Sequence, residues 1–172
     1  FEDLKKSGHV RAYGISTNNL EVLKRFNTNG TCSVVELDYS LLNREPEQSL
    51  LPYCRENGIA VLVRGPLRRG LLSGKYTSAS VFSDTVRAVW NKPGEERETF
   101  LADTAKVERL KEVLQPGTKM VKTALQYVIS HPSNPVAIPG AKSPEQVQMN
   151  AAAGERLLSG DEIRRLQAAL TE

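Results

Sequence analysis

The chain has 172 residues, of which 40% are hydrophobic and 25% charged, and a formal net charge of +3. That length supports one domain with a real core, and so small a charge argues against the concentrated basic face of a nucleic-acid binder. No run approaches the roughly 18 apolar residues of a membrane span, and no secretory signal is legible. The expectation is a cytoplasmic protein with neither a membrane nor a nucleic-acid partner.

Cys32 and Cys54, the two cysteines, fit no metal or redox spacing. They are expected to be reduced core thiols of an intracellular protein. His9 and His131 are expected at the surface rather than in a zinc site.

The opening FEDLKKSG reads as the last two turns of a helix ending at Gly8. A chain that opens in mid-helix without an initiator Met is expected to continue upstream. HVRAYGIS (9–16) reads as a strand, and NNLEVLKRFNTNG (18–30) as a short helix with Gly30 as its stop. CSVVELDYS (32–40) is a second strand. PEQSLLPYCRENG (46–58) is a helix with Pro52 in its first turn. IAVLVRG (59–65) is a third strand, apolar on both faces, a pattern that belongs to parallel sheets covered on both sides.

Residues 66–101 carry no sustained period. Loops of that length in compact domains are usually functional or disordered. DTAKVERLKEVL (103–114) returns to a helix with Val107, Leu110, Val113 and Leu114 on one face. TKMVKTALQYVIS (118–130) is a second, capped by Thr118, with Val121, Ala124, Leu125, Val128 and Ile129 as its apolar stripe. VAI (136–138) is a fourth strand, followed by a helix from Pro144 to about Ala153. The last helix starts at the capping box Ser159–Glu162 and buries Ile163, Leu166 and Leu170.

This order, βαβαβ, a long loop, then ααβαα, predicts an α/β fold with a parallel sheet. Four βα units are half of a (βα)8 barrel, which typically needs about 250 residues and binds ligands at the carboxyl ends of its strands. Those ends are Ser16-Thr17, Glu36-Leu37-Asp38, Arg64-Gly65-Pro66 and Pro139-Gly140-Ala141. At the last, Ser143 is an N-cap, Pro144 suits the first helical position and Gln146 completes a Ser-x-x-Gln box. This corner reads either as a well-capped turn or as an anion site, where small residues let a ligand approach free helical N–H groups.

Four stretches in order resemble the aldo-keto reductases, specifically the C-terminal half of their barrel. LKKSGHVRAYGIST is similar to the family's helix and fifth strand, and VVELDYSLLNRE to the sixth. LLPYCRENGIAVLVRGPLRRGLLSGKY is similar to the next helix, the seventh strand and a clamp loop, and IPGAKSPEQVQMN to the eighth. The match runs from residue 1 to about 170 and implies a half-barrel in one domain, 1–172, with 66–101 as the clamp over a cofactor.

The family reduces carbonyls with a nicotinamide cofactor, usually NADP(H), and a small-molecule carbonyl substrate. By position, the resemblance implies that Ser16 contacts the carboxamide, where Glu36 stands for the usual Gln. Arg64 stands where an aromatic residue commonly stacks on the nicotinamide. Gly65, Pro66, Leu67, Gly70 and Leu71 would cradle the pyrophosphate, with Lys75 and Arg87 holding phosphates from the loop. Gly140, Ala141, Lys142, Gln146 and Asn150 would bind the adenosine end and its 2′-phosphate. Thr17 replaces an Asn, and Met149 replaces a Glu that meets the adenine. Because Glu36 cannot donate to a carbonyl oxygen unless protonated, it is an alternative partner for Arg64 across the strand ends.

The family's Asp, Tyr, Lys and His tetrad lies on the first four strands, and nothing in this chain matches them. Tyr13, Tyr39, Tyr53, Tyr76 and Tyr127 are expected as packing or edge residues. Three functions remain. The chain is the cofactor-binding half of a reductase, or a half-barrel that holds cofactor or self-associates without chemistry, or part of another barrel enzyme with a phosphate corner.

Overall fold

A Cβ at Gly14 would lie 1.7 Å from the carbonyl oxygen of Val34, so only glycine lets the first strand approach the second. In the computed structural model, which describes residues 1–171, four parallel strands stand side by side in chain order. They are β1 (Gly14–Ser16), β2 (Val34–Asp38), β3 (Ala60–Arg64) and β4 (Val136–Ala137). The helices are α1 (Glu2–Lys6), α2 (Leu20–Phe26), α3 (Leu50–Glu56), α4 (Glu95–Val113), α5 (Met120–Ile129), α6 (Pro144–Ala151) and α7 (Gly160–Ala168). This is the parallel α/β architecture expected from the sequence, with all four strand ends at one end of the sheet.

Register fixes which side chains share a face. Ile15, Val35 and Val61 align across β1 to β3, and Leu37, Val63 and Ala137 align across β2 to β4. Val35, Leu37, Val61 and Val63 are buried in one core with Leu23, Leu51, Cys54, Ala124 and Val128 from the helices. The alternate residues, Ser16, Glu36, Ala60, Leu62, Arg64 and Val136, lie on the other face, and Ala60 is exposed. The expectation that β3 is covered on both faces is therefore wrong. Buried residues of α2, α3, α4, α5 and α7 share the core with Val35, Leu37, Val61 and Val63, whereas Ala60 and Val136 on the second face are exposed.

Elements are shorter than their apolar patterns. The strand expected over 9–16 begins at Gly14, because the amides of His9 and Val10 bond back to Leu4 O at 2.9 and 3.2 Å. The helix expected over 46–58 divides into a 3-10 turn, Glu45–Gln48, and α3, and Pro52 does lie in the first turn of α3. Thr118 does not cap α5: the cap is Lys119, and the Thr118 amide is spent on Gln115 O in the preceding turn. Ser159 and Glu162 do form the full reciprocal capping box.

The largest difference concerns 66–101. It is no structureless loop: 3-10 turns occupy Arg68–Ser73 and Ala88–Asn91, and α4 begins at Glu95 rather than at 103. Phe82, Trp90 and Phe100 pack with ring centroids 5.0–5.5 Å apart and are all buried. Glu95, Glu96 and Glu98 give the start of α4 the negative charge that a helix N-terminus favours.

A second anchor is Glu47. Its carboxylate accepts from Tyr39 Oη at 2.8 Å, Tyr127 Oη at 2.6 Å and Arg44 Nη2 at 2.9 Å. His131 is not a surface residue: it is half-buried with its ring edge-on to Tyr39. Burial holds its pKa below the ordinary imidazole value. Cys32 and Cys54 are free and buried, and burial pushes the Cys54 thiol up to about 11.

Candidate active-site face

The carboxyl ends of the strands are tied together by side chains. Asn18, just past β1, accepts the Asp38 amide on its Oδ1 at 2.8 Å, and Arg64 Nη2 approaches the same oxygen at 3.4 Å. Arg64 Nη1 donates to Asp38 Oδ2 at 3.2 Å. Asn43 Nδ2 donates to Asp38 Oδ1 at 3.1 Å. The pair offered as an alternative, Arg64 with Glu36, is not formed, and Arg64 pairs with Asp38 instead. The parallel register puts Asp38 directly opposite Arg64, whereas Glu36 is opposite Leu62, one pleat further back. Asp38, Asn18 and Asn43 escaped the sequence reading as site residues, although the spacing of Glu36 and Asp38 placed both on one face.

Ser16 is exposed at the end of β1, and Glu36 lies beside it on β2. Gly65 follows β3 at a φ of +66°, and a Cβ there would come within 3.2 Å of Asp38 Oδ2. Four residues of the turn that follows have positive φ: Arg68, Arg69, Gly70 and Gly74, at 48°, 52°, 89° and 73°. Pro66 and Leu71 are buried, backbone included, and serve to shape the turn. Leu67 also packs partly against the core.

The two cations of the clamp differ. Lys75 is exposed, with its ammonium 4.9 Å from the Tyr76 ring centre. Arg87 is engaged: its Nε donates to Asp84 Oδ2 at 2.9 Å, its Nη1 donates to Tyr76 Oη, and its guanidinium lies 5.3 Å from the Phe82 ring centre. A role for Arg87 as a phosphate ligand would need that set of contacts to rearrange.

At the fourth strand end, Gly140, Ala141, Lys142 and Gln146 are exposed and Asn150 is half-buried. A Cβ on Gly140 would meet nothing within 4 Å. Ser143 Oγ accepts the Gln146 amide at 3.3 Å, as a cap should. The reciprocal half of the box differs from expectation: Gln146 Oε1 accepts from the Lys142 amide at 2.7 Å, not from Ser143. The side chain therefore fixes the Lys142 backbone and leaves the lysine side chain in solvent.

Two cavities among the described residues lie away from these expected residues. One, of about 590 Å³, lies between the start of α5 and α6, beside Lys119, Lys122, Met149 and Arg156. The other, of about 240 Å³, lies between the clamp turn and α4, beside Arg68, Arg69, Trp90 and Asp103. At the strand ends Ser16, Gly65, Gly140 and Ala141 are exposed.

The sequence profile of the Aldo/keto reductase family matches residues 1–171. The chain belongs to this family. It is 33% identical over 152 residues to the NADH-specific methylglyoxal reductase of Escherichia coli, covering 88% of this chain and 46% of that protein. Among solved structures it is similar to the holo form of the aldo-keto reductase AKR11C1 from Bacillus halodurans, with 29% identity and a TM-score of 0.73, covering 98% of this chain and 53% of that one. An aldo/keto reductase from Klebsiella pneumoniae in complex with NADP and acetate matches with 26% identity and a TM-score of 0.66, covering 97% of this chain and 50% of that one. The chain spans about half the length of the curated relatives it matches. Family members are oxidoreductases, and the parallel sheet corresponds to about half of their barrel. Among the described residues, no helix is long and apolar enough to cross a membrane.

Proposed function

We propose that this chain is the cofactor-binding half of a cytoplasmic, NADP(H)-dependent aldo-keto reductase that reduces a small-molecule aldehyde or ketone. In this reading residues 1–172 are one domain, and β1 to β4 are the fifth to eighth strands of the barrel. One observation carries the proposal. The motifs of the clamp turn (65–75) and the corner (139–146) both follow strands of one parallel sheet, so both stand at the same end as Ser16, Glu36 and Arg64.

The residues present fit a dinucleotide. Gly65 and Gly70 sit at positive φ in the turn, and a Cβ on Gly140 would meet nothing within 4 Å. When bound, the cofactor supplies hydride. Ser16 would orient its carboxamide, with Glu36 beside it. Gly65, Leu67 and Gly70, the accessible positions of the turn, would border its phosphates, with Pro66 and Leu71 shaping the turn beneath them and Lys75 as a counter-charge. Gly140 and Ala141 would admit the adenosine end, with Gln146 and Asn150 beside it. Arg64, held by Asp38 and Asn18, would give the ring a planar face.

The relatives carry both cofactors in their names. The Klebsiella neighbour is in complex with NADP and the E. coli relative is NADH-specific. Lys142 favours the 2′-phosphorylated form, because its backbone is fixed by Gln146 while its ammonium is free to meet an anion. Reduction also needs a proton donor at the carbonyl oxygen, and the resemblance puts that Tyr on the first four strands. The five tyrosines of this chain are committed elsewhere; Tyr39 and Tyr127 donate to Glu47.

The test is calorimetric titration of this chain with NADPH and NADH, beside an absorbance assay with NADPH and 4-nitrobenzaldehyde. NADPH binding without turnover is expected. Turnover by this chain alone would overturn the assignment of halves, and failure to bind either nucleotide would overturn the cofactor role.

A second reading, a half-barrel that self-associates, is favoured by the open face of the sheet. Val136 and Ile138 are 56% and 46% exposed there, and β1 and β4 each have one unpaired edge. Light scattering on the purified chain separates the two: a concentration-dependent dimer supports self-association, and a monodisperse monomer removes it.

A further inference from the structure

Two consecutive non-glycine residues in left-handed backbone are unusual, because each Cβ crowds its own peptide. Arg68 and Arg69 do this at φ of 48° and 52°, in the turn between Gly65 and Gly74. Both are held from the same side, by α4. Arg68 Nε donates to Asp103 Oδ2 at 2.9 Å. Arg69 Nη1 donates to Glu96 Oε2 at 3.2 Å, and its guanidinium lies 5.6 Å from the Trp90 ring centre.

Asp103 is the unusual member. It is 4% exposed in the middle of α4, among Phe100, Thr104 and Val107. A carboxylate so placed is costly unless it is paired. Its other cation, Lys106, is 3.9 Å away, too far for a good hydrogen bond. Arg68 is therefore its main partner, and the exchange is mutual: the arginine neutralises the buried acid, and the acid holds the arginine in a conformation that an L-residue avoids.

We propose that Asp103 is a positioning residue: through Arg68 it splints the 65–74 turn in its left-handed shape and so pre-forms the surface that meets the cofactor phosphates. The Arg68–Asp103 bond and the positive φ of Arg68 are the observations behind it; its consequence for binding rests on the cofactor reading above. Asp103 touches no cofactor. It acts by removing the disorder that a flexible turn would lose on binding.

The test exploits glycine. If Asp103 works by holding Arg68 at positive φ, a glycine at 68 makes it unnecessary, since glycine takes that conformation without strain. Hydrogen–deuterium exchange of the Leu67–Ser73 amides is followed on this chain without cofactor, and NADPH binding is measured in parallel. Asp103→Ala should raise exchange about tenfold and weaken NADPH about tenfold, the scale of one charge-assisted hydrogen bond. Asp103→Ala with Arg68→Gly should return both to within about threefold of the parent. Should Asp103→Ala fail to fold, Asp103→Asn keeps the shape and should move both readouts in the same direction by less.

Unchanged exchange in the Asp103 variants overturns the proposal. So does fast exchange that Arg68→Gly does not repair, since a merely structural acid would not be rescued there. If Arg68→Gly alone weakens NADPH as much as Asp103→Ala does, Arg68 is a ligand and the positioning role is overturned. A parent chain that binds no NADPH while showing the predicted exchange pattern overturns the cofactor reading and leaves the splint standing.

Discussion

Arg64 and Asp38 face each other in register on β3 and β2, and Arg64 Nη1 donates to Asp38 Oδ2 at 3.2 Å. The pair is partly open, with 43% and 22% of the two side chains exposed, so solvent screens it. A double-mutant cycle of Arg64→Ala and Asp38→Ala, read by urea unfolding, should give a coupling of roughly 0.2–1 kcal/mol. The same cycle with Glu36→Ala should give almost none. A larger coupling to Glu36 would mean that the strand ends pair as the sequence alone suggested.

That pair marks the limit of what the sequence made legible. The βα alternation was legible because strand and helix periods differ, and all four strands were found. Chain-local patterns do not carry register, so the choice between Glu36 and Asp38 was not available. The open face of β3 was hidden because Ala60 and Leu62 are apolar whether a face is covered or not. The start of α4 at Glu95 was missed because Phe100 is its first deeply buried residue; the acidic run after Gly94 was the signal that could have found it. Asp103 gave no sign, since a buried acid and a solvated one look alike in a helical sequence.

Glu47 should be a stability hub. Burial pushes its carboxyl up, but hydrogen bonds from Arg44, Tyr127 and Tyr39 outweigh this and hold it below the ordinary carboxylate value. Replacing Glu47 by Gln should cost about 2 kcal/mol in urea unfolding, within the range for hydrogen bonds to a charged group. A lowered carboxylate stabilises the fold above its unfolded pKa of about 4.3, and that contribution is lost as pH falls through the lower folded value. The parent should therefore lose stability in that acid window more steeply than Glu47→Gln. Parallel acid limbs would count against the hub.

Tyr127 sets the alkaline side. Burial first, then its bond to Glu47, push its hydroxyl up to about 12. A raised phenol stabilises the fold below its unfolded pKa of about 10, and the contribution is lost as pH rises through the folded value. Ultraviolet titration should find Tyr127 ionising near 12 and the still more strongly raised Tyr39 only with unfolding, and Tyr127→Phe should reduce the stability loss between about pH 10 and 12. A set of tyrosines all titrating near 10 in the folded chain would contradict this.

Trp90 is 3% exposed and packs between Phe82, Phe100 and the Arg69 guanidinium. Truncation to Ala should destabilise by about 3 kcal/mol, at the low end for a buried Trp. It should also open 76–94 to proteases before the sheet unfolds. Cleavage of that stretch in the parent at the same rate would show that the aromatic cluster does not anchor it.

Lys142 tests the identity of the cofactor. Replacing it by Ala should weaken NADPH by roughly 1–3 kcal/mol, the scale of a charge-assisted hydrogen bond, and leave NADH within about twofold of its parent affinity. Fluorescence titration with both nucleotides decides. Equal losses would place Lys142 away from the 2′-phosphate.

In the proposed function the cofactor lies across the carboxyl ends of β1, β3 and β4. Backbone amide NMR of this chain titrated with NADPH addresses it residue by residue. Shifts concentrated at Ser16, Gly65–Lys75 and Gly140–Gln146 are expected. Shifts confined to the cavity between α5 and α6, at Lys119, Lys122 and Arg156, or no shifts at saturating nucleotide, would contradict it.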